Sequence, residues 1–236
     1  MILYKNPGAV PKRPIKTVSI TAAEKPERPS YAFRSNKERK KYINMVKSYV
    51  RASQEYKDYI NFLKTHVNMN RCIVFNKLEP GPGKKYSIEI HHDPFSLFEI
   101  INIVVSKRQA LGETLNPYMV AEEVMELHYD GKVGLINLSV TAHELCESGK
   151  IFIPLQWIYQ RYDLFYQEYE PYIDDVTKSK LEIKIEMSRR CDQIQSDVLD
   201  PEFVYVNIDG YKFPEIPEEW GKLLQINDPE TVLGNN

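Results

Sequence analysis

The prolines set the outer limits of what this chain can fold into. Residues 1–34 hold five of the 15 prolines, Pro7, Pro11, Pro14, Pro26 and Pro29, with little apolar periodicity between them. Proline fixes its own φ and biases the preceding residue away from helix. This segment therefore reads as an extended arm. Four more prolines punctuate Leu199–Asn236, which reads as an irregular tail pinned by Phe203, Tyr205, Tyr211 and Trp220. Between them, residues 35–198 carry the periodic patterns of an ordered α+β domain.

From Asn36 to His66, Tyr42, Tyr49, Tyr56 and Leu63 recur every seven residues, and Met45, Val46, Ala52, Tyr59 and Ile60 fill the same stripe. That spacing predicts a core-facing helix. The runs "RCIVFNKL" and "KYSIEIHH", separated by "EPGPGK", read as a β-hairpin with a long tip. Helices are predicted from Pro94 to Leu111 and from Pro117 to Tyr129, each opened by a proline that suits a first helical turn. "YDGKVGLINLS" is a turn and a short extended piece. His128, just ahead of that turn, reads as a surface residue. The next helix starts near Thr141, capped by Ser139 or Thr141, and stops at Gly149. "KIFIPL" reads as a short strand. Residues 155–195 are mostly helical with a break at Pro171, although "KLEIKIEM" alternates with period two and leaves strand open there.

Composition excludes several classes. No run approaches the roughly 20 apolar residues that span a bilayer, and no secretory leader is visible, so no membrane partner is expected. Cys72, Cys146 and Cys191 stand far apart with no Cys-x-x-Cys spacing, which points to a reducing, intracellular setting rather than a disulfide framework. The formal net charge is only −2. Any contact with nucleic acid must then rest on a local patch.

Two stretches carry candidate chemistry. "EIHHD" places His91 and His92 side by side at a strand end, and an imidazole can serve as base or as metal ligand. In "GLINLSVTAHELCESGKIFI", His143 and Glu147 are four apart on a predicted helix and so share a face. His143 and Glu147 could share a divalent ion, with a histidine from the strand end completing a facial set. The plainer alternative is a solvated helical pair beside two histidines that cap a hairpin. "HELCE" lacks the second histidine of His-Glu-x-x-His, which removes the metalloprotease reading.

Together these stretches resemble the HNH, or His-Me finger, endonucleases, whose site is a β-hairpin followed by a helix clasping one metal ion. "EIHHD" resembles the histidine-pair strand of the colicin-type DNases, and residues 71–153 would form the core, with an inserted helical pair. More loosely, the chain resembles HNH-like proteins of large bacteriophages. The resemblance implies a ββα-metal core in which His91, His143 and Glu147 hold one divalent ion and His92 is the general base. Mg²⁺ or Mn²⁺ would suit the carboxylate, and Zn²⁺ the imidazoles. Asp93 and Asn137 would support the site from behind the ligands, while Lys84, Lys85, Lys107, Arg108 and Lys150 would contact phosphate. The pattern departs where Gly134 aligns with the family's middle Asn and Glu147 with its last His. The implied activity is phosphodiester hydrolysis, with DNA as the expected substrate. The runner-up is a structural or adaptor protein, for instance in a virus particle, that engages protein partners through the arm or tail. A non-catalytic nucleic-acid-binding module is the third reading.

Overall fold

The computed structural model describes residues 33–74, 87–148 and 151–196, the last with side chains through residue 189. The proline-rich arm up to residue 32, the hairpin tip with Lys84 and Lys85, Lys150 and the C-terminal tail lie outside the described residues. Within them the chain runs α1 (Asn36–Ala52), α2 (Gln54–His66), β1 (Ile88–His92), α3 (Leu97–Ala110), α4 (Pro117–Tyr129), β2 (Leu135–Ser139), α5 (Val140–Glu147), α6 (Tyr162–Tyr169) and α7 (Asp175–Ser196). Single 3₁₀ turns at Leu155–Trp157 and Glu170–Tyr172 flank α6. This is an α+β architecture dominated by helix.

α3 is the hub. Leu97, Phe98, Ile100, Ile101, Ile103, Val104 and Val105 are all buried, so the helix is apolar on nearly every side. Such a helix belongs inside a protein rather than at its surface. Its start is fixed by a capping box, in which the Ser96 hydroxyl accepts from the Glu99 backbone N–H and the Glu99 carboxylate accepts from the Ser96 N–H. α1, α4 and α6 pack around it. The long helical run predicted over Asn36–His66 is divided at Ser53, whose hydroxyl caps α2 by accepting from the Tyr56 N–H. A Ser hydroxyl offers the backbone an alternative to the helical ladder, which is why the division falls there.

Arg39 clamps α1 to α3. Its guanidinium donates to Asn102 Oδ1 at 2.7 Å, Gln109 Oε1 at 2.6 Å, Ser106 Oγ at 2.7 Å and the Asn102 carbonyl at 3.1 Å. Planar forks of donors suit such multiple acceptance. Replacing Arg39 with Met would leave several half-buried acceptors without a donor, a cost of about 2–4 kcal/mol. Urea unfolding of Arg39→Met should show a lowered midpoint at unchanged m-value; a loss below about 0.5 kcal/mol, the range of neutral surface changes, would refute the clamp.

The sheet corrects the predicted hairpin. β1 pairs antiparallel with β2, with Ile88 opposite Ser139 and His92 opposite Leu135. The described part of the "RCIVFNKL" run lies along β2 instead, where the Ile73 N–H donates to the Asn137 carbonyl at 3.0 Å. Tyr159 also exchanges backbone hydrogen bonds with Leu135, so β2 is flanked on both edges. "KIFIPL" forms no strand among the described residues and leads into a 3₁₀ turn. "KLEIKIEM" lies within α7. Thr177, Lys180, Leu181, Met187 and Ser188 are buried on its inner side at helical spacing.

Candidate functional site

Adjacent residues of a strand point to opposite faces of the sheet, and this decides the fate of the histidine pair. His91 sits opposite Ile136 and, with Glu89, looks toward α5. His92 sits opposite Leu135 and looks into the main core. The pair is thus split between two environments.

On the outer face, the His91 and His143 rings lie with centroids 4.5 Å apart. His143 Nδ1 is 2.7 Å from Glu89 Oε2, and its Nε2 is 3.2 Å from Glu147 Oε1. A carboxylate can only accept, so Nδ1 carries the proton. Nε2 is closed off from solvent and, despite the short distance, makes no aligned hydrogen bond. Burial, then the neighbouring His143, push the His91 pKa down to about 3, so His91 is neutral. His91, Glu147 and Glu89 thus each lie against His143. Glu89 was legible as the outward residue of a period-two strand.

Among the described residues, no three His, Cys, Asp or Glu side chains are gathered so that they could hold one ion.

His92 is held inside the fold. It is 5% exposed, and its Nε2 lies 2.9 Å from Nε2 of His128, itself 0% exposed. His128 Nδ1 is 2.7 Å from the Val124 carbonyl, so that nitrogen must donate. His128 Nε2 is then the acceptor, and His92 Nε2–H the donor. Tyr56 stacks on His92 at 6.4 Å, and Tyr59 meets His128 edge-on at 5.5 Å. The Tyr59 hydroxyl donates to the His128 carbonyl and accepts from Gln160 Nε2. Burial first, and the neighbouring His128 and His91 rings next, hold His92 well below its ordinary pKa; burial takes His128 down to about 4. Both rings are neutral and internal. The expected surface position of His128 is thereby corrected: its place on the buried side of α4, with Val120, Val124 and Leu127, marks it as a core residue.

Of the supporting and phosphate-contacting residues, the described ones, Asp93, Asn137, Lys107 and Arg108, are engaged internally. Asp93 is buried and pairs with Lys184 of α7. Asn137 Nδ2 donates to the Arg71 carbonyl. Lys107 and Arg108 both reach Glu123, at 3.2 and 2.6 Å, and the Tyr169 hydroxyl donates to the same carboxylate at 2.9 Å. Burial tends to raise the Glu123 pKa, but Arg108, Tyr169 and Lys107 more than offset it and hold the carboxyl below its usual range. Gly134, where the HNH pattern has an Asn, is a close-approach position, because a Cβ there would meet the Asp93 carbonyl oxygen. Burial raises the Cys146 thiol, which removes it as a ready nucleophile.

The described residues define an α+β protein whose histidines, buried cations and buried carboxylates mostly join one element to another. In sequence comparison the chain matches the family described as Bacteriophage G278-like virion protein over residues 15–211, and it belongs to that family. This match overturns the HNH assignment. Searches of the curated proteins and of the solved structures returned no match. No described helix is long and apolar enough to cross a membrane.

Proposed function

We propose that this protein is a structural component of a bacteriophage particle, held there by contacts with other virion proteins and without a catalytic duty. Its membership of a virion-protein family over most of its length carries the proposal. The internal commitments of His92, Asp93, Asn137, Lys107 and Arg108 support it, since side chains that join elements are not free to bind and turn over a substrate. The partners in this reading are proteins of the same particle.

The test is compositional. Particles of a phage encoding this chain, purified through a density gradient, should contain it at a fixed copy number relative to the major capsid protein, measured by quantitative mass spectrometry of tryptic peptides. Abundance in the lysate with none in the particles would overturn the assembly role. In parallel, the purified protein should leave plasmid DNA intact with Mg²⁺, Mn²⁺ or Zn²⁺. Chelator-sensitive nicking that disappears in His143→Ala would overturn the non-catalytic half.

A further inference from the structure

From the segregation of charge on α1, we propose that the outer face of this helix binds the phosphate backbone of nucleic acid. Successive helical residues turn by about 100°. On that wheel Lys47, Lys40, Arg51, Asn44, Lys37, Ser48 and Lys41 fall within an arc of about 120°, opposite the buried Tyr42, Ile43, Val46 and Val50. Lys37, Lys41 and Arg51 are exposed, and Lys40 and Lys47 half-buried. The arc contains no carboxylate. Glu38, the one acidic residue of α1, lies off it and accepts from the Arg34 backbone N–H at 2.8 Å. In a chain of net charge −2, five cations collected on one stripe of this helix form a local positive field.

The stripe extends from Lys37 to Arg51, about 21 Å at 1.5 Å per residue. That length of duplex axis carries on the order of a dozen phosphates, more than enough to engage five cations. The chemistry of the arc favours this ligand over the other polyanionic surfaces. A protein–protein interface needs an apolar centre, and here only Asn44 and Ser48 lie between the cations. A membrane-surface helix inserts an apolar face, whereas Ile43, Val46 and Val50 are already buried in the core. Farther round α1, past Met45, Tyr49 and Tyr118 stack with centroids 4.7 Å apart, and Tyr118 is 65% exposed. They offer an aromatic surface to an unpaired base. This surface lies outside the histidine cluster, and its chemistry is the same whether or not the chain is carried in a particle.

Fluorescence anisotropy of the full chain with labelled duplex DNA, single-stranded DNA and duplex RNA, from 50 to 200 mM salt, tests the proposal. Binding should weaken with a log–log salt slope of about −3 to −4.5 for a duplex, which is roughly a hundredfold loss or more over that range. Combined replacement of Lys37, Lys41, Lys47 and Arg51 by Gln should abolish most of the binding and flatten the slope by about 0.9 for each phosphate no longer neutralised. A charge-matched control with Arg71, Lys132, Arg161 and Lys178 replaced by Gln should keep both affinity and slope. Circular dichroism should show both variants folded, since every substituted side chain faces outward or is half-buried. Preference for the single strand would assign a share to the Tyr49–Tyr118 shelf, and loss of that preference in Tyr118→Ala would confirm it. No binding to any of the three at 50 mM salt would overturn the proposal. So would equal losses in the two variants, or binding to vesicles rich in phosphatidylglycerol with none to nucleic acid.

Discussion

Gly134→Ala is expected to cost this protein about 3 kcal/mol or more, a large part of the roughly 5–15 kcal/mol that holds a domain of this size together. The added methyl carbon would sit 2.0 Å from the Asp93 carbonyl oxygen and 2.9 Å from Ile158 Cγ2. The first clash is with backbone, which cannot swing aside as a flexible side chain does. The same two residues are joined by a hydrogen bond from the Asp93 N–H to the Gly134 carbonyl at 3.1 Å. Relieving the clash therefore means parting β1 from β2 just beyond His92. Gly112 provides the comparison. It has φ +67°, and no atom lies within 4 Å of the place a Cβ would take. Its replacement by Ala therefore costs conformational strain alone, about 1 kcal/mol. Urea unfolding of both variants should rank Gly134→Ala well below Gly112→Ala in stability. Ile158→Ala should fail to rescue the former, because the Asp93 oxygen remains. Equal stabilities of the two variants would refute the close-approach argument.

The helices were largely legible from sequence because their signals are local. Pro117 opens α4, and Ser139 caps α5 through its hydroxyl, which accepts from the Ala142 N–H. Each of these is set within one turn of helix. The strand pairing was not legible, because it depends on which distant segment closes onto β1. Adjacency in sequence favoured "RCIVFNKL", while the buried backbone favoured β2, whose two edges both find partners. The reading of α7 was obscured by two lysines on its inner side. Lys180 pairs with Glu99 at 2.9 Å and Lys184 with Asp93, so neither registers as a core position in a hydropathy pattern. The candidate site was half legible. Spacing placed His143 and Glu147 on one face, and the structure keeps them together beside His91. The role given to His92 came instead from family resemblance. A strict period of two already sends His91 and His92 to opposite faces, and that physical rule outweighs a motif.

The buried His92–His128 pair should make the fold acid-labile well above the pH at which carboxylates titrate. An unfolded histidine takes up a proton near pH ~6.5. In the folded chain burial holds His128 down to about 4, and His92 is displaced in the same direction. Their folded pKa values lie below the unfolded ones, so the unfolded state binds more protons between about pH 6.5 and 4. Stability is then fully present above about pH 6.5 and is lost progressively as pH falls through that window. One group moved from 6.5 to about 4 contributes about 3 kcal/mol, at roughly 1.36 kcal/mol per unit. Two coupled rings share one hydrogen bond, so the pair need not contribute twice that. His128, His91, Arg51 and Lys47, in that order, add to the cost of charging His92, while Tyr56 and Tyr59 are neutral throughout the range. Thermal melts at pH 7.5, 6.0 and 5.0 should show the midpoint falling steadily, with most of the change below about pH 6.5. The double variant His92→Gln, His128→Gln keeps polar groups at both positions but removes the titration. It should begin less stable at the highest pH and lose less on acidification. A double variant with the same pH dependence as the parent would place the acid lability elsewhere, His91 being the next group to test.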